Sequence, residues 1–146
     1  MTEQHADSPS ISDAGVVVIT QRIAAPPGAV FPFLVEPERM LRWMGTDVRL
    51  EPTPGGEFWL DMNGTDIAIG NFIEVDPPNR VVFTWGWHGS DDVPPGSSTV
   101  SIDLTSDGTD TIVELRHDGL PDELTSRHLE GWNHFLPLLV EQVVAS

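Results

Sequence analysis

Few side chains in this sequence have the types and spacing that acid–base, nucleophilic or metal chemistry needs. There is no cysteine and there are 5 histidines, so thiolate nucleophiles, disulfides and cysteine-bound metals are excluded. His128 and His134 are six residues apart, which places them on different faces of a helix, and no His-Glu-x-x-His motif occurs. No Gly-x-Ser-x-Gly motif presents a serine nucleophile. We therefore predict no metal site and no cofactor, and we assign no catalytic residue.

Two histidines remain as candidates for acid–base chemistry. His117 alternates with Val113 and Leu115 at the end of a predicted strand, so its side chain points to the same side as theirs. A hydrogen-bonded role at the edge of the sheet is the favoured interpretation. The alternative places it at the mouth of a cavity, opposite His128 on the last helix, as a polar contact or an acid–base group.

The order of the elements that carry these residues follows from the apolar patterns. Residues 1–15 are polar and predict a disordered or loosely docked tail, and residues 16–146 form the predicted domain. A first strand at 16–24 is followed by two short helices, the first of them interrupted by Pro32. Six strands with Gly and Pro turns come next, at residues 46–51, 56–62, 67–76, 80–87, 98–105 and 111–117. A helix from Pro121 towards Val144 then repeats apolar residues every three or four positions.

Apolar side chains share one face of the predicted sheet and of the last helix. A packed core is the usual meaning of such stripes. The alternative is a mostly apolar pocket where a curved sheet meets a single helix. The predicted ligand contacts of such a pocket are Phe58, Leu60, Phe72, Phe83, Trp85, Val100, Ile102, Leu115, His117, His128, Trp132, Phe135 and Leu139. Gly131 is expected to let the helix approach the sheet closely, and a cavity below Leu139 is expected to accept a tryptophan at that position.

The charge balance argues against two classes of partner. The chain has 23 acidic residues and 7 arginines, with no lysine, and its formal net charge is -16. Such a surface repels phosphate backbones and anionic lipid headgroups, so we expect no binding to nucleic acid or to membranes. No apolar run approaches the length of a membrane span or a signal peptide. A cytoplasmic protein, monomeric or homodimeric, is the expectation.

Three short motifs carry a resemblance to a known family. They are Gly-Gly-Glu-Phe-Trp-Leu at 55–60, the run Gly-Asn-Phe-Ile-Glu-Val-Asp-Pro-Pro-Asn-Arg-Val-Val-Phe-Thr-Trp at 70–85, and Gly-Trp at 131–132. In this order they resemble the SRPBCC (START-like, helix-grip) superfamily, in the branch named after the C-terminal domain of the activator of heat-shock protein 90 ATPase. The resemblance and the patterning agree on an α+β helix-grip fold. In it, a curved seven-stranded antiparallel sheet wraps a long C-terminal helix, and two short helices follow the first strand.

The resemblance implies three possible functions. It favours the pocket over the packed core, because related folds carry lipids or polyketide intermediates there. The leading hypothesis is a binding protein, not an enzyme, for a hydrophobic or aromatic small molecule. A polyketide cyclase or dehydratase is the first alternative, with Glu57 and Asp61 as further titratable groups beside the two histidines. A chaperone-interacting protein is the second, although the accessory N-terminal domain of the eukaryotic activators is not expected in 146 residues.

Overall fold

A strongly bent antiparallel sheet and the helix that packs on it make up most of the protein. The computed structural model describes residues 10–13 and 15–146, which form eight strands and four helices. The strands are β1 (Ser10–Asp13), β2 (Val16–Ile23), β3 (Asp47–Leu50), β4 (Glu57–Asp61), β5 (Ile67–Asp76), β6 (Arg80–Trp85), β7 (Ser98–Asp107) and β8 (Asp110–Asp118). The helices are α1 (Pro27–Val30), α2 (Pro32–Val35), α3 (Pro37–Met40) and α4 (Asp122–Ala145). The predicted α+β helix-grip fold is confirmed.

The strands are hydrogen-bonded in the order β1-β2-β8-β7-β6-β5-β4-β3. The seven predicted strands are β2 to β8, and every neighbouring pair is antiparallel. The predicted hairpin at Pro77-Pro78 is present, because Asp76 faces Arg80 across it. An eighth strand, β1, falls within the stretch that the sequence predicted as a tail, and its backbone pairs with β2. The rest of that prediction, at 1–9 and 14, lies outside the described residues.

Prolines divide the connection between β2 and β3 into short helices. Each of the three helices begins at a proline, namely Pro27, Pro32 or Pro37. Proline suits the first helical turn, where its missing N–H and fixed φ cost nothing. The sequence predicted two helices with Pro32 interrupting the first. The structure instead ends α1 before Pro32 and begins α2 there, so the first predicted helix is two separate turns.

The helix α4 covers the concave side of the sheet with one apolar stripe. Its buried residues are Thr125, Trp132, Leu136, Leu139 and Val143, which recur at the spacing of one helical face. Pro137 is exposed. Leu139 is 1% exposed and belongs to the main hydrophobic cluster.

Aromatic rings fill much of the space beneath the sheet. Phe58 and Phe83 stack with ring centroids 4.1 Å apart and an interplanar angle of 12°. Phe72 contacts both of them edge-on, at 5.8 and 6.0 Å. Offset stacking and edge-to-face contacts are the arrangements that aromatic pairs prefer. This half of the concave wall is therefore packed core, and any pocket must lie beyond it.

Candidate ligand-binding pocket

A pocket of about 370 Å³ opens between α4 and the end of β6. Its wall includes four large aromatic side chains, namely Trp85, Trp87, Trp132 and Phe135. Met44, Met62 and Val93 add further apolar surface, and Asp66, Asp92 and Arg127 are exposed lining residues that bring charge to the rim. A mostly apolar concavity of this size with a few polar groups is the usual form of a small-molecule site.

Two stretches of sequence position the aromatic wall. Trp85 is the last residue of β6. Trp87 lies two residues further along the chain, and an isolated β-bridge pairs it with Ala68 on β5. Residues at period two on a strand point to the same face. On α4, His128, Trp132 and Phe135 follow one another at intervals of four and three residues, so they share one helical face.

His117 lies directly behind this wall, in a chain of hydrogen bonds that links Trp132 to the backbone of Trp85. Its Nδ1 accepts from the Trp132 indole N–H at 3.0 Å. Its Nε2 is 2.8 Å from the Ser98 hydroxyl, which in turn donates to the Trp85 carbonyl oxygen at 2.7 Å. Because Trp132 supplies a donor, the ring proton belongs on Nε2, which donates to Ser98. Both nitrogens of a neutral imidazole are then satisfied.

His128 forms a parallel pair with Trp87 at the edge of the pocket. Its Nε2 accepts from the Trp87 indole N–H at 3.0 Å, and its Nδ1 donates to the Leu124 carbonyl oxygen at 2.9 Å. The rings of His117 and His128 meet edge-on with centroids 5.2 Å apart. The two rings thus face each other, as the alternative interpretation of the sequence had it, but His117 does not line the pocket and is not at its mouth.

Both histidines are held in their neutral form. Burial, with a smaller contribution from His128, lowers the pKa of His117 to about 3. Burial also lowers the pKa of His128, opposed by its hydrogen bond to the Leu124 carbonyl and reinforced by Arg127. A charged imidazole has two N–H donors and no acceptor. Protonation of either ring would therefore place an N–H donor opposite the tryptophan N–H and break the hydrogen bond that the ring nitrogen now accepts.

The prediction that His117 lies at the edge of the sheet is wrong. Its strand, β8, runs between β2 and β7, and the side chain is fully buried. Alternation with Leu115 correctly predicted the face of the sheet to which the His117 side chain points. Alternation carries no information on where a strand lies within the sheet. The position of the strand within the sheet is a long-range property.

The structure brings four of the predicted contact residues to the pocket. They are Trp85, His128, Trp132 and Phe135. The others are buried and do not line the pocket, and they are Phe58, Leu60, Phe72, Phe83, Val100, Ile102, Leu115, His117 and Leu139. The reason is that their side chains pack on one another, as the stacked Phe58 and Phe83 show. That any of the thirteen contacts a ligand stays a prediction.

Several wall residues were missed by reasoning from the sequence. Met44 follows α3, and Met62 and Val93 belong to turns and loops. Neither strand alternation nor helical phase applies to such positions. Trp87 did carry a signal, since it continues the alternation of Phe83 and Trp85.

Gly131 has a different role from the one expected. A Cβ built on this residue meets nothing within 4 Å, so glycine is not needed there for close contact between helix and sheet. Gly131 instead lines the pocket. The absent side chain leaves open space beside Trp132, and the expectation of a close approach is corrected.

The described residues offer neither a metal-ligand cluster nor a membrane-spanning helix. Among the described residues, no three His, Cys, Asp or Glu side chains lie together as a metal would require. Within the same part of the chain, no helix has the length and apolar character to cross a membrane.

Known proteins are similar to this chain over most of its length. The solution structure of the AHSA1-like protein RHE_CH02687 from Rhizobium etli is 43% identical, with a TM-score of 0.68, covering 91% of this chain and 86% of that one. CalU16 from Micromonospora echinospora is 26% identical, with a TM-score of 0.73 and coverages of 88% and 75%. PFC0360w, an HSP90 activator from Plasmodium falciparum, is 24% identical with a TM-score of 0.68, covers 84% and 91%, and shares the fold.

The family assignment follows from a match to a family model. No curated protein matches the chain significantly. The model described as "Activator of Hsp90 ATPase homolog 1-like protein" matches residues 24–143, which span the helices, all but the first two strands, and nearly all of α4. The chain therefore belongs to the AHSA1 family of the SRPBCC superfamily.

Proposed function

We propose that this protein binds a hydrophobic or aromatic small molecule, of lipid or polyketide-like character, in the pocket between α4 and the end of β6. The observation that carries the proposal is the pocket itself, with about 370 Å³ of space and a wall of three indoles and one phenyl ring. The volume lies within the range of about 300 to 1,000 Å³ that is typical of small-molecule sites. A packed core would have left no such space beside aromatic side chains.

The state of the histidines supports binding over catalysis. A cyclase or dehydratase needs an acid–base group that is free to exchange a proton with its substrate. In His117 and His128 every ring nitrogen already has a partner within the protein. Both pKa values are lowered, so the rings stay neutral near pH 7. They act as hydrogen-bond acceptors that fix two tryptophan walls.

A titration with a neutral apolar probe tests the proposal. N-phenyl-1-naphthylamine suits an acidic protein because it carries no charge, and its binding is read from quenching of the indole fluorescence. Phe135 lines the pocket, whereas Val144 on the same helix is 54% exposed and does not. We expect Phe135→Asn to weaken probe binding by about tenfold, since part of a phenyl contact is worth about 1.4 kcal/mol. Val144→Asn is the matched control and should bind like the wild type.

Native mass spectrometry of the purified protein gives an independent reading. A retained small molecule that disappears on denaturation would support the proposal and would identify the ligand class. Equal probe affinity in the wild type and in Phe135→Asn would refute binding at this pocket. Absence of saturable probe binding together with absence of a retained ligand would refute the function.

A further inference from the structure

Three charged side chains lie at the rim of the pocket, and two of them are acidic. They are Asp66, Asp92 and Arg127, and all three are exposed. His128 also lines the pocket, but its ring stays neutral because burial lowers its pKa. Two carboxylates against one guanidinium leave the rim with a net negative charge.

The Asp92 carboxylate is the one without a partner. Asp66 accepts a hydrogen bond from the side-chain amide of Asn63 at 2.9 Å. Arg127 forms no ion pair with any residue that the structure describes, so it neutralises neither acid. The Asp92 side chain has no hydrogen bond or ion pair within the same part of the chain. An unpaired carboxylate therefore lies at the rim of a mostly apolar pocket.

The charge of the whole chain favours a cation at this point. The formal net charge is -16, and a cleft with low-dielectric walls focuses such a field on the ligand that enters it. An ammonium group is also attracted to the face of an aromatic ring, and Trp87 and Phe135 are partly exposed rings of the pocket wall. An anion would instead meet two carboxylates and a repulsive field.

The cost of desolvation decides where on the ligand the charge must lie. Moving an ammonium group from water into an apolar interior costs more than a single ion pair returns. Asp92 is exposed, so an ammonium group beside it keeps contact with water. An apolar body attached to that group can enter the pocket at the same time. The site therefore suits a ligand with one charged end.

We propose that the ligand of this pocket is an organic ammonium cation, whose charged group pairs with the Asp92 carboxylate while its apolar or aromatic body lies against the indole wall. This inference rests on the proposed function, and it adds the chemical class of the ligand and the residue that selects it. Arg127 opposes the cation, so its removal should strengthen binding.

Three probes with the same naphthalene body test the preference for charge. 2-(Aminomethyl)naphthalene is an ammonium ion at neutral pH, 2-ethylnaphthalene carries a methyl group in place of the ammonium, and 2-naphthylacetate carries a carboxylate. In equilibrium dialysis at low salt, the wild type should bind the ammonium about three- to tenfold more tightly than the ethyl compound. The carboxylate should bind most weakly. Added salt should reduce the advantage of the ammonium, because exposed charges are screened.

Two neighbouring aspartates separate a local contact from the overall field. Asp91 and Asp92 are both exposed, but only Asp92 lines the pocket. Asp92→Asn should weaken binding of the ammonium about two- to fivefold and leave binding of the ethyl compound unchanged. Asp91→Asn is the matched control, since it changes the net charge of the chain equally, and it should bind all three probes like the wild type. Arg127→Gln should act in the opposite direction and strengthen binding of the ammonium.

The outcomes distinguish this inference from the proposed function. Equal affinities of the wild type for the ammonium and the ethyl compound, or tightest binding of the carboxylate, would overturn the inference. Equal effects of Asp91→Asn and Asp92→Asn would also overturn it, because the overall field and not Asp92 would then select the ligand. In each of these cases the ethyl compound still binds, and the proposed function stands. Failure of all three probes to bind would overturn both.

Discussion

Gly131 offers a direct test of whether the space beside α4 is a real pocket. The residue lies inside the helix α4 and lines the pocket. A Cβ added there meets nothing within 4 Å. Gly131→Ala adds one methyl group at this point, and Gly131→Leu adds a branched side chain that extends into the same space. The two variants share the change in backbone preference and differ in how much of the pocket they occupy.

The expected changes in stability have the same sign for both variants. Replacing an interior helical glycine by alanine stabilises a helix by about 1 kcal/mol, and leucine is nearly as good a helix former. For a domain of this length, 1 kcal/mol raises the unfolding midpoint by about 2 to 4 °C. Leucine should add roughly 1 kcal/mol more if half of its side chain is buried against the pocket wall. Thermal unfolding followed by circular dichroism measures both shifts.

Probe binding separates the two variants. The alanine variant leaves most of the 370 Å³ free, so its affinity for N-phenyl-1-naphthylamine should stay close to that of the wild type. The leucine variant should lose at least about tenfold, because the probe and the side chain compete for one space. A lowered midpoint for Gly131→Leu would mean that the space beside the helix is already filled. Unchanged probe affinity in that variant would refute the location of the site.

Three further predictions concern the core and the surface. The unfolded state protonates His117 with a pKa near 6.5, while the folded state does so only at about pH 3, so lowering the pH from 7 to 5 should cost about 2 kcal/mol of stability through this residue. Urea unfolding gives the free energy of unfolding of the wild type and of His117→Gln at pH 7 and pH 5. The gap between the two proteins should change by this amount between the two pH values, and an unchanged gap would contradict the prediction. Leu139→Trp should lower the free energy of unfolding by about 1 to 3 kcal/mol, because Leu139 lies in packed core and not over a cavity as the sequence led us to expect; an unchanged unfolding midpoint would argue for hidden space. Labelled DNA should show no anisotropy change with this acidic protein at physiological salt, and micromolar binding would disprove that.

The fold was accessible from the sequence because its signals are local. Alternation predicted β4 to β8 with every strand end within two residues of its position in the structure, and the proline corner at 77–78 predicted a hairpin. The short strand β1 was missed because Ser10–Asp13 is polar, and its pairing with β2 depends on a neighbour and not on an apolar pattern. Pro32 signalled an interruption, but not that a new helix begins there.

The site was harder to predict from the sequence than the fold. Whether a side chain lines a pocket depends on what packs against it as well as on the face of the strand or helix that carries it. Alternation places Phe83 and Trp85 on the same face of β6, and both are buried there. One of them stacks on Phe58 within the core and the other reaches the pocket. No local pattern distinguishes these outcomes, because each depends on which side chain lies opposite. The same limit applies to His117. The sequence predicted the face of the sheet to which its side chain points, but not that its strand lies in the interior of the sheet.

The position of the pocket follows from a change in side-chain size along the groove between sheet and helix. At one end, Phe58 and Phe83 stack and leave no room. At the other end the sheet still supplies large rings, Trp85 and Trp87, but the helix presents Gly131, where even an added Cβ would meet nothing within 4 Å. The histidines then hold two of the indoles against the wall, so the space does not close by rotation of those rings. The missing side chain at Gly131 and the two hydrogen-bonded tryptophans therefore both help to keep this end of the groove open.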